Sequence, residues 1–486
     1  MTTLYAVAGY LPGFKADELA RQTLHFGTGS DRLEVAVPVL SQAQWAALAE
    51  RVKQGSRAYL KTRSVSQIIT LVDRAIARLL DRSDPYRQQA DRLLPLVTGY
   101  DAEMVRLGLT SYLKTFRQPQ LQRFVAEDFS NPKLLDEFQP RPKGGFARAV
   151  GPELLIHVWA GNVPGLPLWS LISSLLVKSG SIGKLPSAEP LFAGWFAHLL
   201  VELDPALADC LAVGWWKGGD APLEQALFAQ ADLVLAYGGN GALQALRAQV
   251  PITTRFLGFG HKLSFGMVAR AALDARKAPA TAQQAACDVV RYDQQGCYSP
   301  QLFYVERGGK VSPQAFAHYL AQAIASLEPR FPRRTLPLIE ASEVARWNQA
   351  QELRLMTQPG ASLMGDADTP WRVAYADGVQ GLAPSALNRT VLVVAVDDLA
   401  QVLPEIARSR IYLQTVGLAA APAELFALAE QLGQAGVTRI CALGSMTAPE
   451  AGWHHDGRFN LLDLVQMVEI EQSAELAAES FAPYVD

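Results

Sequence analysis

Cysteine is scarce in this 486-residue chain, with only four, at positions 210, 287, 297 and 441. They are too few and too scattered for a disulfide framework or a zinc ribbon, and a reducing cytoplasm is the simplest setting for them. An excess of either charge is also missing. Lys plus Arg total 44 against 47 Asp plus Glu, a formal net charge of -3, so no global pull toward nucleic acid or anionic membrane is expected. No basic stretch precedes the first apolar residues, which argues against a secretory leader. Internal repeats and low-complexity tracts are absent, and Arg330, Arg333 and Arg334 form only a short basic cluster, read as solvated. The 20-residue charge-free run Val158 to Val177 is interrupted by Gly161, Asn162, Pro164, Gly165 and Pro167. Such a run reads as strand, loop and buried helix, with no transmembrane segment.

What is present is the composition of an ordered globular protein: 49% hydrophobic and 19% charged residues, with 37 Gly and 29 Pro. The length is about three times the usual ~150-residue domain, which predicts two or three domains. The first 140 residues give a strand near Leu33 to Val39 and helices at Gln42 to Lys53 and Ser66 to Leu80, and no readable function. A Pro- and Gly-rich bridge, Asn131 to Gly145, makes the first boundary. From Leu154 strands and helices alternate: strands at Leu154 to Trp159, Ser181 to Lys184 and Leu233 to Tyr237, with helices between them. A second such series follows. It includes a strand at Leu302 to Val305, a helix opened by Ser312 and Pro313, an apolar strand at Val391 to Val396, a helix at Leu399 to Arg408 and a strand at Arg439 to Ala442. Strands separated by helices demand parallel crossovers, so the expected fold class is α/β with two doubly wound domains.

Four features carry chemistry. Cys297, in Gln-Gly-Cys-Tyr-Ser-Pro, follows a helix and precedes a strand. A thiol there is a nucleophile only if helix N-termini or cations lower its pKa from about 8.5, and alone it reads as well as a small buried hydrophobe. Asn162 ends the first strand of the series, either as an oxyanion donor or as a simple Asx turn. The Gly238-Gly239-Asn240-Gly241 turn between strand and helix offers backbone N–H groups to a pyrophosphate, although it lacks the full dinucleotide fingerprint. Lys184, followed by Pro186 and Ser187, is a candidate for ribose or phosphate contact. His454 and His455 are adjacent and so do not share a helix face as metal ligands would; no metal is assigned.

In this order and spacing the pieces resemble the aldehyde dehydrogenase superfamily, and within it the LuxC-type long-chain fatty acyl-CoA reductases. The resemblance is clearest from 150 to 300 and extends through Asn388-Arg389-Thr390 and Gly452-Trp453-His454-His455-Asp456-Gly457. It implies Cys297 and Asn162 as catalytic residues, and Lys184, Ser187, Gly238 and Gly239 as cofactor-binding residues. It also implies a cofactor domain over residues 1–265 with an oligomerisation arm near 140–152, a catalytic domain over 266–450, and a tail, 451–486, that packs back or contributes to oligomerisation. A homo-oligomer and an acyl-protein synthetase as acyl-transferring partner are further implications, as is a long-chain substrate. Trp169, Trp195, Trp215 and Trp216 are candidates for an acyl tunnel, or else core residues.

Two departures from the superfamily pattern refine the expectation. Oxidative members carry a Glu where this chain has Gly258-Phe259-Gly260-His261-Lys262. Without a carboxylate to activate water, an acyl-cysteine should persist long enough to exchange with a thiol, although His261, with Lys262 beside it, is a substitute base to consider. Where NAD-preferring relatives place a Glu on the ribose, this chain has Ser187, which favours NADPH over NADH, with Glu189 two residues on as the residue that reverses the inference if the loop is shifted. The expected activity is NADPH-dependent reduction of an acyl-CoA to an aldehyde through an acyl-cysteine. The rivals are an oxidative aldehyde dehydrogenase, an acyl-phosphate reductase and a non-catalytic assembly subunit.

Overall fold

Two parallel sheets, each wrapped by helices, meet along one crevice. A computed structural model describes residues 2–15, 18–27 and 31–483. The first large sheet has five parallel strands in the spatial order Arg255–Phe259, Leu233–Tyr237, Leu154–Val158, Gly180–Lys184 and Leu211–Gly214. Its central strand, Leu-Leu-Ile-His-Val, is buried along its whole length. His157 is tolerated there because Ser170 Oγ meets its Nδ1 at 3.1 Å and burial drives its pKa down to about 3, leaving the ring neutral. The chain reverses its direction of winding at Leu154–Val158, which has Leu233–Tyr237 on one side and Gly180–Lys184 on the other. Such a switch point opens a crevice at the carboxyl ends of the strands, where ligands bind in open α/β sheets. Gly161, Asn162, Gly238 and Gly239 stand at those ends.

The second sheet has seven strands in the order Ser362–Met364, Arg372–Asp377, Thr390–Val396, Pro300–Glu306, Leu263–Val268, Leu413–Ala419 and Arg439–Ala442. All neighbours are parallel except the Ser362–Met364 hairpin partner at one edge. The chain passes from the first sheet to the second between Phe259 and Leu263. Ser312 caps helix Pro313–Leu327, its hydroxyl accepting from Ala315 N at 3.1 Å. The segment expected as one helix at Leu399 to Arg408 is instead a 3-10 turn, Leu399–Val402, followed by the short helix Leu403–Ala407. Pro404, which lacks an N–H, fits the first turn of the second piece and not the interior of one long helix.

The first 140 residues form a three-stranded sheet, Thr2–Val7, Asp31–Val39 and Ala20–Phe26, and five helices from Gln42–Ala58 to Gln118–Asp128. Reciprocal backbone bonds between Tyr10 and Val213, both at 2.7 Å, attach this unit to the edge of the first large sheet. A small antiparallel sheet joins Gln139–Pro140, Phe146–Val150 and Gln466–Ile470, so the C-terminal segment pairs with the bridge that precedes the first large sheet. The run Val158 to Val177 is the end of a strand, a loop and helix Pro167–Leu176, and among the described residues no helix is long and apolar enough to cross a membrane.

Candidate active site

Cys297 sits on a loop that the backbone holds in an unusual shape. Tyr292, Asp293 and Gln294 all adopt the left-handed region, with φ of 49°, 49° and 63°, and facing them Leu387, Asn388 and Arg389 do the same at 54°, 51° and 66°. Non-glycine residues visit this region rarely and at an energetic cost, which points to a functional constraint. The two strained triplets are locked together. Asn388 N donates to Asp293 O at 2.9 Å, Arg389 Nε donates to Asp293 Oδ1 at 2.7 Å, and Gln295 Nε2 donates to Asn388 Oδ1 at 3.1 Å.

The loop lies at the amino ends of four strands of the second sheet, where it meets Ser264, Pro300, Thr390 and Gln414, and faces the carboxyl ends of the first. Ser264 Oγ donates to Cys297 O at 2.8 Å and accepts from Thr415 N at 3.1 Å, which fixes the height of the cysteine over the sheet. From the other side, Asn162 Nδ2 donates to Gln295 O at 2.7 Å, and Asn162 O accepts from the Tyr100 hydroxyl at 2.9 Å. Asn162 is thus joined directly to the cysteine loop, and one N–H of its amide is left for a ligand.

Two cavities converge on Cys297. The larger, about 540 Å³, is lined by Gly161, Asn162, Gly238, Gly239, His261 and Lys262 among others. A Cβ at Gly239 would meet nothing within 4 Å, so the turn is open toward this space. The smaller, about 270 Å³, is mainly apolar and runs past Tyr112, Val163, Trp169, Tyr298 and Trp453. Tyr237, His455 and Cys297 border both. The His455 ring stacks on Phe259 at 4.7 Å and on Tyr237 at 5.9 Å, and burial holds its pKa below the ordinary histidine value. Two members of this neutral aromatic stack, Tyr237 and His455, thus line both spaces.

Enclosure pushes the Cys297 thiol up to about 11, against hydrogen bonds from Gln414 and from the N–H groups of residues 297 and 298, which favour the thiolate. Gln414 Nε2 approaches the sulfur at 3.4 Å and also donates to Asp456 Oδ1 at 2.6 Å; Lys262 Nζ is 3.8 Å from Asp456 Oδ2. Glu340 is the one acidic residue among the described residues bordering the larger cavity, and it is ion-paired with Arg334. Arg334, expected to be solvated, is instead nearly buried and borders the same cavity.

The expected cofactor residues divide into two groups. Gly238 and Gly239 share the cavity with Cys297. Lys184 and Ser187 lie farther along the carboxyl edge: Lys184 Nζ stands 5.5 Å over the Trp216 ring, and the Ser187 hydroxyl accepts from Trp215 Nε1 at 3.1 Å. Burial lowers the Lys184 pKa while Glu224 opposes the shift. Glu189 is buried, its Oε1 accepting from Leu191 N and Phe192 N at 2.8 and 2.9 Å at the start of helix Phe192–Leu203. Of the four tryptophans considered for a tunnel, Trp169 borders the apolar cavity. Trp195, Trp215 and Trp216 belong to the buried core, with Trp216 packed edge-on against Trp45 at 5.0 Å. Trp453, noted in the sequence only within the Gly452 to Gly457 motif, takes a place beside Trp169.

Gln414 is the residue that sequence reasoning missed, while His455 and Asp456 stand out there within the Gly452 to Gly457 motif and receive no role at the cysteine. One signal was available for Gln414: a polar side chain on the buried face of an otherwise apolar strand, Leu-Gln-Thr-Val-Gly-Leu-Ala, must find partners. No group of His, Cys, Asp and Glu placed to hold a metal ion occurs among the described residues.

Two facing α/β sheets with a cysteine loop between them define the class, an enzyme of the aldehyde dehydrogenase fold. The aldehyde dehydrogenase KauB from Pseudomonas aeruginosa superposes with a TM-score of 0.73 at 16% identity, covering 95% of this chain and 96% of that one. Aldehyde dehydrogenase 21 from Physcomitrella patens gives 0.73 at 12% identity over 97% and 99%. Residues 60–467 match the family described as acyl-CoA reductase (LuxC), and the chain belongs to that family. It is similar to the long-chain acyl-protein thioester reductases of Photorhabdus luminescens (26% identical, covering 97% of this chain and 93% of the relative) and Aliivibrio fischeri (25%, covering 83% and 85%). The protein is thus an oxidoreductase acting on the acyl/aldehyde couple.

Proposed function

We propose that this chain reduces a fatty acyl thioester to the free aldehyde, with Cys297 as nucleophile and NADPH, or NADH in its place, as reductant. One observation carries the reading: the sulfur lies where a larger cavity, reaching the Gly238-Gly239 turn and bordered by Asn162, His261 and Lys262, meets a smaller, mainly apolar one. The first suits the nicotinamide end of a dinucleotide; the second suits an alkyl chain. The fit for a dinucleotide rests on the open turn at Gly239 and on the strand ends that face the crevice. A solved neighbour, an indole-3-acetaldehyde dehydrogenase complexed with NAD+, has the same fold at a TM-score of 0.72. A bound reduced nicotinamide supplies the hydride.

The chain's own residues do the rest. The Cys297 sulfur adds to the thioester carbonyl, and the oxyanion falls to the free N–H of Asn162 and the backbone N–H of Cys297. The carbon–sulfur bond to the donor breaks, and its thiolate leaves to take up a proton. The acyl group is now on Cys297, with its chain along Val163, Trp169 and Trp453. Among the described residues bordering the larger cavity the one carboxylate, Glu340, is occupied by Arg334, so none there is free to direct water at the thioester; His261 is exposed at the rim. After reduction at the carbonyl carbon, the bond to sulfur breaks and the aldehyde departs. Overall, acyl thioester, NADPH and one proton give aldehyde, thiol and NADP+.

Ser187 and Lys184, on the carboxyl edge, favour a 2′-phosphate and hence NADPH; the Glu189 carboxylate is engaged in capping a helix. The donor is acyl-CoA or an acylated partner protein such as a synthetase, the latter in keeping with the relatives' description as acyl-protein thioester reductases. A homo-oligomer built on the arm at Phe146–Val150 and a cytoplasmic setting complete the reading. The test is an absorbance assay of NADPH and NADH oxidation against acyl-CoA esters of graded length, with aldehyde identified as product. Acid formed from aldehyde with NAD+, and no aldehyde from any thioester, would instead favour the oxidative reaction.

A further inference from the structure

We propose that Gln414 is a catalytic residue, whose side-chain amide stabilises the anionic sulfur of Cys297, and that Asp456 is the positioning residue that fixes which end of the amide faces the sulfur. This rests on reading Cys297 as the nucleophile. A glutamine amide has a donor end and an acceptor end of nearly equal shape. Asp456 Oδ1, 2.6 Å from Gln414 Nε2, accepts only, so the nitrogen must face it. The same nitrogen carries a second N–H, and it is 3.4 Å from Sγ. With the amide reversed, its oxygen would confront both the carboxylate and the sulfur.

Gln414 is buried and its strand is pinned beside the cysteine through Ser264, so the amide has little freedom to turn away. The donor matters twice in the proposed reaction, when sulfur attacks as thiolate and when it leaves the reduced carbon as thiolate. The backbone N–H groups of residues 297 and 298 also favour the thiolate, but among the side chains around the sulfur the donor is Gln414. Tyr237 and Tyr298 are held neutral by burial, and His455 lies below the ordinary histidine value. The Asp456 charge itself opposes a thiolate, and Lys262 offsets it at 3.8 Å.

Asp456 therefore has two opposed effects, and they can be separated. Iodoacetamide alkylation of the Cys297 peptide, followed by mass spectrometry between pH 6 and 10.5 on the full-length chain, reports the thiolate. Gln414→Leu, and Gln414→Met as a second variant of similar volume, should alkylate about tenfold more slowly at pH 8, the size expected for losing one hydrogen bond to a charged group. Asp456→Asn should slow alkylation when Gln414 is present, because the amide is free to reverse. In the Gln414→Leu background the same change should speed it, because only the charge remains to be felt. An unchanged profile in both Gln414 variants, or an Asp456→Asn effect of the same sign in both backgrounds, overturns the proposal. The alkylation readout is independent of turnover, so failure of acyl-thioester reduction in the parent protein would count against the proposed function and not against this pair.

Discussion

Arg389 and Asp293 form an ion pair at 2.7 Å with both side chains almost fully buried, and the carboxylate belongs to a residue four positions before Cys297. Arg389 also contacts Glu328, so one guanidinium joins the left-handed cysteine loop to helix Pro313–Leu327. Removing one partner of a buried pair strands the other charge, which typically costs about 3–5 kcal/mol. Arg389→Met should lose stability of that order in urea unfolding, and Arg389→Met combined with Asp293→Asn should recover part of it. Equal losses in the single and double variants would show that the pair does not hold the loop.

Asp288 offers a pH test. Its carboxylate accepts from Gly444 N, Met446 N and Thr447 N at 2.5, 3.0 and 3.4 Å, tying helix Lys277–Val290 to the segment that leads into the apolar cavity. Burial nevertheless pushes its pKa up to about 6. The folded chain then binds a proton that the unfolded chain, titrating near the ordinary carboxylate value, has released. This contribution is complete below the unfolded pKa and is lost as pH rises through about 6. Asp288→Asn should therefore gain stability relative to the parent between pH 4.5 and pH 7.5, measured by denaturant midpoints. A constant difference across that range would contradict the assignment.

The apolar cavity should set chain preference. Ala448 borders it, and Ala448→Phe would fill part of the space proposed for an acyl chain. Activity on long-chain thioesters should fall relative to short-chain ones by roughly tenfold or more, since each excluded methylene is worth about 1–3 kcal/mol. Parallel losses at every chain length would mean that the acyl group lies elsewhere.

Asn162→Ala should lower kcat by about 10²- to 10³-fold if its free N–H meets the oxyanion. A change confined to KM would assign the residue to binding alone. Replacement of Cys210, Cys287 or Cys441, which border neither cavity at the cysteine loop, should leave turnover close to that of the parent.

Much of this centre was readable from the sequence because its first half is local. A strand followed by Gly-Asn, a strand followed by Gly-Gly and a cysteine between helix and strand are short-range patterns, and the parallel sheet brings them to one crevice. Gln414 carries no such pattern, and Asp456 lies in the Gly452 to Gly457 motif without a role to announce it. They lie 117 and 159 residues beyond Cys297, and their meaning comes only from the sheet order that sets Leu413–Ala419 beside Leu263–Val268. The strand containing Gln414 was not expected, nor were the strands before Ala20 or at Arg372–Asp377. The sequence leaves the tryptophans open between acyl tunnel and core. Trp195, Trp215 and Trp216 sit on elements next to the crevice, yet a large aromatic at such a position fills core before it lines a channel. The strained triplets at 292–294 and 387–389 contain no glycine, and only Asp293 and Asn388 are of types that enter the left-handed region with any frequency, so the sequence announces it weakly.

The most direct measurement is mass spectrometry of the protein after brief incubation with a long-chain acyl-CoA, before and after addition of NADPH. The account predicts an acyl thioester on the Cys297 peptide that disappears with NADPH as aldehyde is formed, and no adduct in Cys297→Ala. An adduct confined to another cysteine, or full reductase activity in Cys297→Ala, would contradict it.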